Sequence, residues 1–482
     1  MEESVCMPDS LTPHSVFNYF KQICKIPRGS GNCGAIADML VSFAKHNNLE
    51  CFRDKHDNVI IIKEASMGKE GLKPVILQGH TDMVCEKIPD YDFDFLKNGI
   101  ELNFDGDYIT ANNTTLGADN GIAVAFMLAI LSDVTLSLPR IEAVFTSDEE
   151  IGMIGAMHLD VSPLKGRRMI NLDCDKEGEF IIGCAGGVVS DCVIPVKREA
   201  YDGDAYQITV SGLKGGHSGE KIDCGRANAD ILLVRLLQQI SKEIDFRLIS
   251  IDGGLKDNAI PSKAYAKIIS SDYNIIRNNV VKFQNDICNE FRLTEPDVRI
   301  ELSQCEYSKP MDSFSMSNVL DFLILAPNGV QDMSKNIEGL VETSLNLGIL
   351  STDIDSVSVS YCVRSSIESK KNLVCEKLSK LCNLYGGSFS VEGNYPAWEF
   401  YNNSELVSIF ENTYQNMFKS KPKILTIHAG LECGVFVSKI PGLDCISIGP
   451  DLDEIHTPYE RMNVLSVKRT WDMLINILTN IK

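Results

Sequence analysis

Positive charge, histidine and paired cysteines are all scarce in this chain of 482 residues, and each scarcity closes off a class of function. Forty-six lysines and arginines face 66 aspartates and glutamates, and the resulting formal charge of −20 repels nucleic-acid phosphates and anionic lipid. Neither nucleic acid nor a membrane surface is therefore expected as a partner. The 16 cysteines are scattered from Cys6 to Cys445 without a C-x-x-C pair, which argues against a zinc ribbon or a disulfide scaffold and for reduced thiols. No window approaches the roughly 20 apolar residues of a membrane span. The opening MEESVCMPDSLTPHSV lacks a basic segment followed by an apolar one. A cytoplasmic location is the expectation.

What is present is apolar material with a clear rhythm. Hydrophobic residues make up 44% of the chain and charged residues 23%, and the length predicts two or three units at roughly 100–200 residues each. Short apolar runs at 59–62, 74–78, 141–146 and 169–172, bounded by Gly, Asp or Asn, read as strands buried on both faces. Between them, 121–132 is long and apolar enough to be a core helix. Alternating strands and helices imply an α/β sandwich with a mostly parallel sheet. After about 187 the chain becomes more polar and alternates, with strands expected at 206–210 and 356–363 and a helix near 227–242. Near 400 the first pattern resumes, with a helix at 404–418 and a strand at 445–448. The domains are therefore expected at 1–187 with 400–482, interrupted by an inserted α+β domain at 188–399, as one unit or as two tandem pieces.

In open α/β sheets functional groups gather at the carboxyl ends of the strands. Here 74–78 runs into Gly79-His80-Thr81-Asp82, and 141–146 into Ser147-Asp148-Glu149-Glu150. The run 169–172 ends at Asp173, 445–448 leads to His456, and Asp119 opens the core helix. Two imidazoles and three carboxylates suit two divalent ions, each with one His and one terminal carboxylate, and the third carboxylate shared. The positive charge of two such ions balances three carboxylates and a hydroxide, which a partly buried cleft tolerates. Asp82, two residues beyond His80 on an extended chain, falls on the same side and is placed to fix the imidazole tautomer. Adjacent Glu149 and Glu150 point apart, so one can bind metal while the other takes a proton from water.

These residues resemble the M20 metallopeptidases. GHTDMV at 79–84, GADNG at 117–121, SDEEIG at 147–152, NLD at 171–173 and HTP at 456–458 look like that family's metal and base motifs. IHAGLECGVF at 427–436 and VETSLNLG at 341–348 are similar to its aminoacyl-histidine (Xaa-His) dipeptidase subgroup. The resemblance implies a phosphorylase/hydrolase-like catalytic domain with an inserted lid. It implies that His80 and Asp173 hold one ion, Glu150 and His456 the other, and Asp119 both. Asp82 would orient His80, Glu149 would be the general base, and a cis peptide would join Asp119 to Asn120. In the lid, His217 of GLKGGHSG would polarise the scissile carbonyl, while Asn258 and Arg364 would hold the substrate's carboxyl end. His428 and Glu432 are expected to line the pocket, with Glu432 either near a substrate amine or structural. The implied cofactors are two divalent ions, zinc first, with cobalt or manganese as alternatives. The implied reaction is hydrolysis of short peptides with a free C-terminus, most of all Xaa-His dipeptides, by a monomer or homodimer. The alternatives are a broader dipeptidase, a tripeptidase, an N-acyl amino acid amidohydrolase, or a binding protein that has lost turnover.

Overall fold

The apolar segment behind GADNG forms the helix Ala118–Ser132, with every residue from Ala118 to Leu131 buried. A helix that is apolar all round has to lie inside a core. This one packs between the helix His14–Cys24 and the strands Val75–His80 and Ile141–Thr146. The computed structural model describes residues 5–400 and 404–482. It divides into one unit of Met1–Cys184, Phe400–Thr426 and Leu431–Lys482 and a second of Ala185–Glu399 with Ile427–Gly430.

The first unit is built on an eight-stranded sheet. Its order is Glu50–Arg53, Val59–Lys63, Ile141–Thr146, Val75–His80, Arg168–Asn171, Asp444–Ser447, Glu179–Cys184 and Lys423–Ile427. The four central strands run parallel, so His80, Thr146 and Asn171 end at one edge. The flanking strands Val59–Lys63 and Glu179–Cys184 are antiparallel to their inner neighbours. On one side the cause is local: Glu50–Arg53 and Val59–Lys63 are joined by a tight turn, closed by Asp54 N–H donating to Asn58 O at 3.1 Å. Only an antiparallel pair can be joined so briefly.

The second unit carries a nine-stranded sheet. Its main path runs Arg299–Gln304, Asp204–Ser211, Ala264–Ser270, Arg247–Gly253, Val341–Thr352, Ser356–Ser365, Gly186–Pro195 and Ser388–Tyr395, and Gly329–Met333 pairs with Val341–Thr352. The two halves of that path are registered through a single pair, Gly253 opposite Leu350. Helices Ala229–Ile240 and Tyr273–Glu290 pack on the first half and Glu368–Leu384 on the second. Ile427–Gly430, expected from sequence in the discontinuous first domain, belongs here instead. The backbone explains it: Ala185 N–H is shared between Ile427 O and Ala429 O, each at 3.1 Å. Among the described residues no helix is long and apolar enough to cross a membrane.

Candidate metal centre

Three of the four parallel strands deliver a side chain to the same place. His80 is the last residue of Val75–His80, Glu149 and Glu150 follow Ile141–Thr146, and Asp173 follows Arg168–Asn171. His80 Nε2 lies 3.1 Å from Asp119 Oδ1 and 3.4 Å from Asp173 Oδ1. His456 Nε2 lies 3.0 Å from Asp119 Oδ2 and 2.9 Å from Glu150 Oε1. The two oxygens of Asp119 are thus divided between two imidazoles, each of which has a second carboxylate of its own. The ligand atoms fall into three overlapping groups within 4.8 Å: His80, Asp119 and Asp173; Asp119, Glu150 and His456; and His80, Glu149 and Glu150.

The backbone is bent to achieve this. Asp148 and His456 are non-glycine residues in the left-handed region, at φ 52° and 62°, an arrangement that costs about 1–3 kcal/mol and persists only where surrounding contacts impose it. Asp148 is held by Gly31 N–H donating to its Oδ1 at 2.6 Å. The Asp119–Asn120 peptide is cis. Asp82, buried beneath His80, has its Oδ1 3.3 Å from the imidazole Nδ1. The same carboxylate accepts the N–H of Glu149 at 3.0 Å, the N–H of Glu150 at 3.2 Å and the hydroxyl of Ser30 at 2.8 Å. One aspartate therefore orients both the first histidine and the Glu149–Glu150 turn.

The charges are unbalanced without a cation. Burial opposes charging His80, but Asp173, Asp119 and Asp82 outweigh it and hold its pKa well above the usual imidazole value. Hydrogen bonds to Asp119 and Glu150 carry His456 to about 11. Burial lifts Asp173 to about 6. Glu149 is pushed well above the ordinary carboxyl range by burial and by the charges of Asp173, Glu150 and Glu432, with His80 opposing. Four carboxylates and two imidazoles converging on one point form a donor set that fits divalent cations.

Glu432 belongs to the same unit but lines no open surface. It is fully buried, and its Oε2 accepts from Gln78 Nε2 at 2.5 Å and Thr146 Oγ1 at 2.7 Å, both on central strands. Burial raises its pKa to about 8, so at neutral pH it is mostly an uncharged acid. The sequence left Glu432 two roles, near a substrate amine or structural, and these hydrogen bonds across two strands suit the structural one.

The remaining expected residues lie in the second unit. His217 sits in a two-stranded sheet opposite Ala259, and Ser218 N–H donates to Asn258 O at 2.8 Å. Gly215 and Gly216 precede it at φ 61° and 116°, and a Cβ on Gly216 would lie 2.4 Å from Arg226 Nη1. That turn requires glycine. Arg364 pairs with Gly187 on one side and Ser344 on the other. The missing side chain of Gly187 makes room for the ring of Tyr395, whose hydroxyl accepts from Arg364 Nη1 at 2.9 Å. Ser344 Oγ lies 2.7 Å from His428 Nε2. Arg364 is only 7% exposed, and among the described residues no carboxylate comes within ion-pair distance of it. Burial, reinforced by this cation, lowers the pKa of His217 and takes His428 to about 4.

Two residues of the metal centre carried no signal in the sequence reading. Glu460 follows the HTP motif and Arg28 sits between Pro27 and Gly29; the contacts of both are with backbone groups.

Fold and site together define a metallopeptidase: residues 76–480 match Peptidase family M20/M25/M40, and the chain belongs to that family. It is 37% identical over 476 residues to the cytosol non-specific dipeptidase of Escherichia coli (strain K12), covering 98% of each chain. The crystal structure of aminoacylhistidine dipeptidase from Vibrio alginolyticus matches with a TM-score of 0.90 at 36% identity, again over 98% of each chain. An aminopeptidase, PepT, from Bacillus cereus shares the fold at 16% identity, with a TM-score of 0.57 over 97% of this chain and 98% of its own.

Proposed function

We propose that this enzyme is a two-metal dipeptidase of the cytosol that hydrolyses short peptides with a free C-terminus, Xaa-His dipeptides above all. The observation that carries the reading is the division of Asp119 between His80 and His456, with Asp173 and Glu150 as the respective second carboxylates. His80 and Asp173 would hold one divalent ion, Glu150 and His456 the other, and Asp119 both. Zinc is the first choice, and cobalt and manganese suit the same donors. Bound, the ions would supply Lewis acidity and a water of lowered pKa. Glu149 would serve as the general base of the hydrolysis, holding the proton destined for the leaving amine. Asp82 fixes the His80 tautomer and keeps Glu149 and Glu150 in one turn.

In the second unit His217, held neutral by burial and Arg364, is suited to donate a hydrogen bond to the scissile carbonyl oxygen as negative charge develops there. Arg364 and Asn258 take the substrate's carboxylate. A buried guanidinium that forms no ion pair among the described residues, with only the charge of Asp257 acting on it, is stabilised further by an anion that arrives with the substrate. Thiols such as those of Cys24, Cys33, Cys174 and Cys362, and the name of the Escherichia coli relative, support the cytosolic placement.

A second reading, a dipeptidase of broad specificity, is favoured by the description of that same relative as non-specific. The test is protein purified without added metal, then loaded with zinc, cobalt or manganese and assayed on Xaa-His dipeptides, other dipeptides, tripeptides and N-acyl amino acids. The proposal expects two ions per chain and the highest kcat/KM on Xaa-His. Equal rates on unrelated dipeptides would select the broad reading, and activity confined to N-acyl amino acids would overturn both.

A further inference from the structure

The loop that presents Asp119 is gripped from both sides by buried charges that take no part in the donor set. From one side the Glu460 carboxylate, 2% exposed, accepts four consecutive backbone N–H groups. Oε2 takes those of Leu116 at 2.8 Å and Gly117 at 3.0 Å; Oε1 takes those of Ala118 at 2.8 Å and Asp119 at 3.3 Å. From the other side Arg28, 1% exposed, donates Nη2 to Gly117 O. Its Nη1 donates to Thr81 O at 2.9 Å and Asp82 O at 3.0 Å, in the turn that leaves His80.

Gly117 is where the two grips meet, at φ 69°, and a Cβ there would lie 2.6 Å from Met83 Sδ and 2.5 Å from Arg28 Nη2. Consecutive N–H groups turned inward by a left-handed residue form a concave nest for an anion. Here a side chain fills it. Glu460 is four residues beyond His456, so this carboxylate ties the His456 loop to the Asp119 loop, while Arg28 ties the Asp119 loop to His80. Glu460 and Arg28 thus hold the loop from opposite faces, each through backbone dipoles.

We propose that Glu460 and Arg28 are the positioning residues of the metal centre: together they fix the Leu116–Asp119 loop between the His80 turn and the His456 loop, so that Asp119 offers one oxygen to each histidine. This rests on the reading of Asp119 as the shared ligand. It deepens that reading by naming what holds the shared ligand in register.

The experiment compares three variants of the full chain. Glu460→Gln turns one oxygen into an NH2 group that faces two N–H donors, so half of the nest meets a donor. Arg28→Lys keeps the charge but loses the fork that spans three carbonyls. Glu142→Gln is the control. Glu142 is equally buried and accepts backbone N–H groups of Lys165 and Gly166 at 2.9 Å, but it stands near the opposite end of its strand from Glu149 and Glu150. Zn²⁺ affinity is measured by chelator competition, and the rise in melting temperature on adding Zn²⁺ is measured separately, because a ligand that binds only the folded state stabilises it in proportion to the logarithm of its affinity.

The expected result is at least tenfold weaker Zn²⁺ binding at both sites for Glu460→Gln and for Arg28→Lys, with a smaller metal-induced rise in melting temperature. Glu142→Gln should lower the melting temperature of metal-free and metal-loaded protein alike and leave affinity unchanged. If Glu460→Gln fails to fold, Arg28→Lys decides alone. Zn²⁺ affinity within threefold of wild type in a destabilised Glu460→Gln or Arg28→Lys protein would overturn the inference and leave these residues as ordinary scaffold. Failure of the wild type to bind two ions would instead strike the reading of Asp119, and the comparison keeps the two failures apart.

Discussion

The candidate-site histidines of the two units, His80 and His456 against His217 and His428, are pushed in opposite directions. In the first unit His80 and His456 are drawn toward the protonated state by Asp119, Asp173 and Glu150, whereas in the second His217 and His428 are held neutral by burial and by Arg364. One unit has gathered a cluster of carboxylates, and the other a buried guanidinium, Arg364, on which Asp257 acts without an ion pair among the described residues. An uncompensated buried charge is expensive, several kcal/mol for each ion, and it persists where a partner supplied from outside completes it. The proposed function uses these opposite surpluses, the carboxylates for divalent cations and Arg364 for the carboxylate of a substrate.

The comparison breaks most sharply at Asp119. Asp119→Ala removes the one carboxylate shared by both imidazoles, so both ions should be lost together and hydrolysis should fall to background. Elemental analysis after dialysis checks it, and a variant that keeps one tightly bound ion would mean that the two sites are independent. Glu149→Gln comes next. It should keep both ions and lower kcat by roughly 10²–10⁴-fold, the usual cost of losing a general base. If metal is lost from Glu149→Gln and retained in Glu150→Gln, the two glutamates have exchanged roles.

The first unit was readable from sequence for a physical reason. A strand buried on both faces is a continuous apolar run, and the polar residue that ends it stands out; His80, the Glu149–Glu150 pair and Asp173 all announce themselves this way. Glu460 and Arg28 do not. Their partners are backbone N–H and carbonyl groups, which every residue carries, so no pairing of residue types marks them. The same holds for Ile427–Gly430, carried into the second unit by two backbone hydrogen bonds. The antiparallel flanks of the first sheet were hidden because an apolar run says that a strand is buried and not which way it points. For Glu432 the sequence left a ligand role and a structural role open, because a glutamate beside family-like residues suits either; its hydrogen bonds to Gln78 and Thr146 were not legible.

Arg364 sharpens the other side of the comparison with a smaller effect. Hydrogen bonds to charged groups contribute about 1.5–3 kcal/mol, so Arg364→Ala should lower kcat/KM on a free dipeptide roughly 10–150-fold, mainly through KM. Lysine restores the charge without the planar fork and should rescue in part. A dipeptide amidated at its C-terminus is the control, poor for the wild type and little worse for the variant. Equal loss on the free and amidated substrates would make Arg364 a structural residue of the second unit.

The smallest effect tests the opposed histidine shifts through stability. Folding takes the His428 pKa from 6.5 down to about 4. Between those values the unfolded chain binds a proton that the folded chain refuses, so His428 contributes its full stability above pH 6.5. That contribution is lost as pH falls toward 4, and below 4 both states are protonated and no more is lost. The whole swing for a shift of this size is on the order of 3 kcal/mol. His428→Gln keeps a hydrogen-bonding group near Ser344 and removes the titration, so it should melt a few degrees less sensitively to acid between pH 7.5 and pH 5 than the wild type does. Metal-free protein is the right sample, because metal loss in acid then cannot mimic the effect. If the variant and the wild type lose melting temperature equally over that interval, His428 is not held neutral, and Arg364 and burial do not set the histidine charges of the second unit.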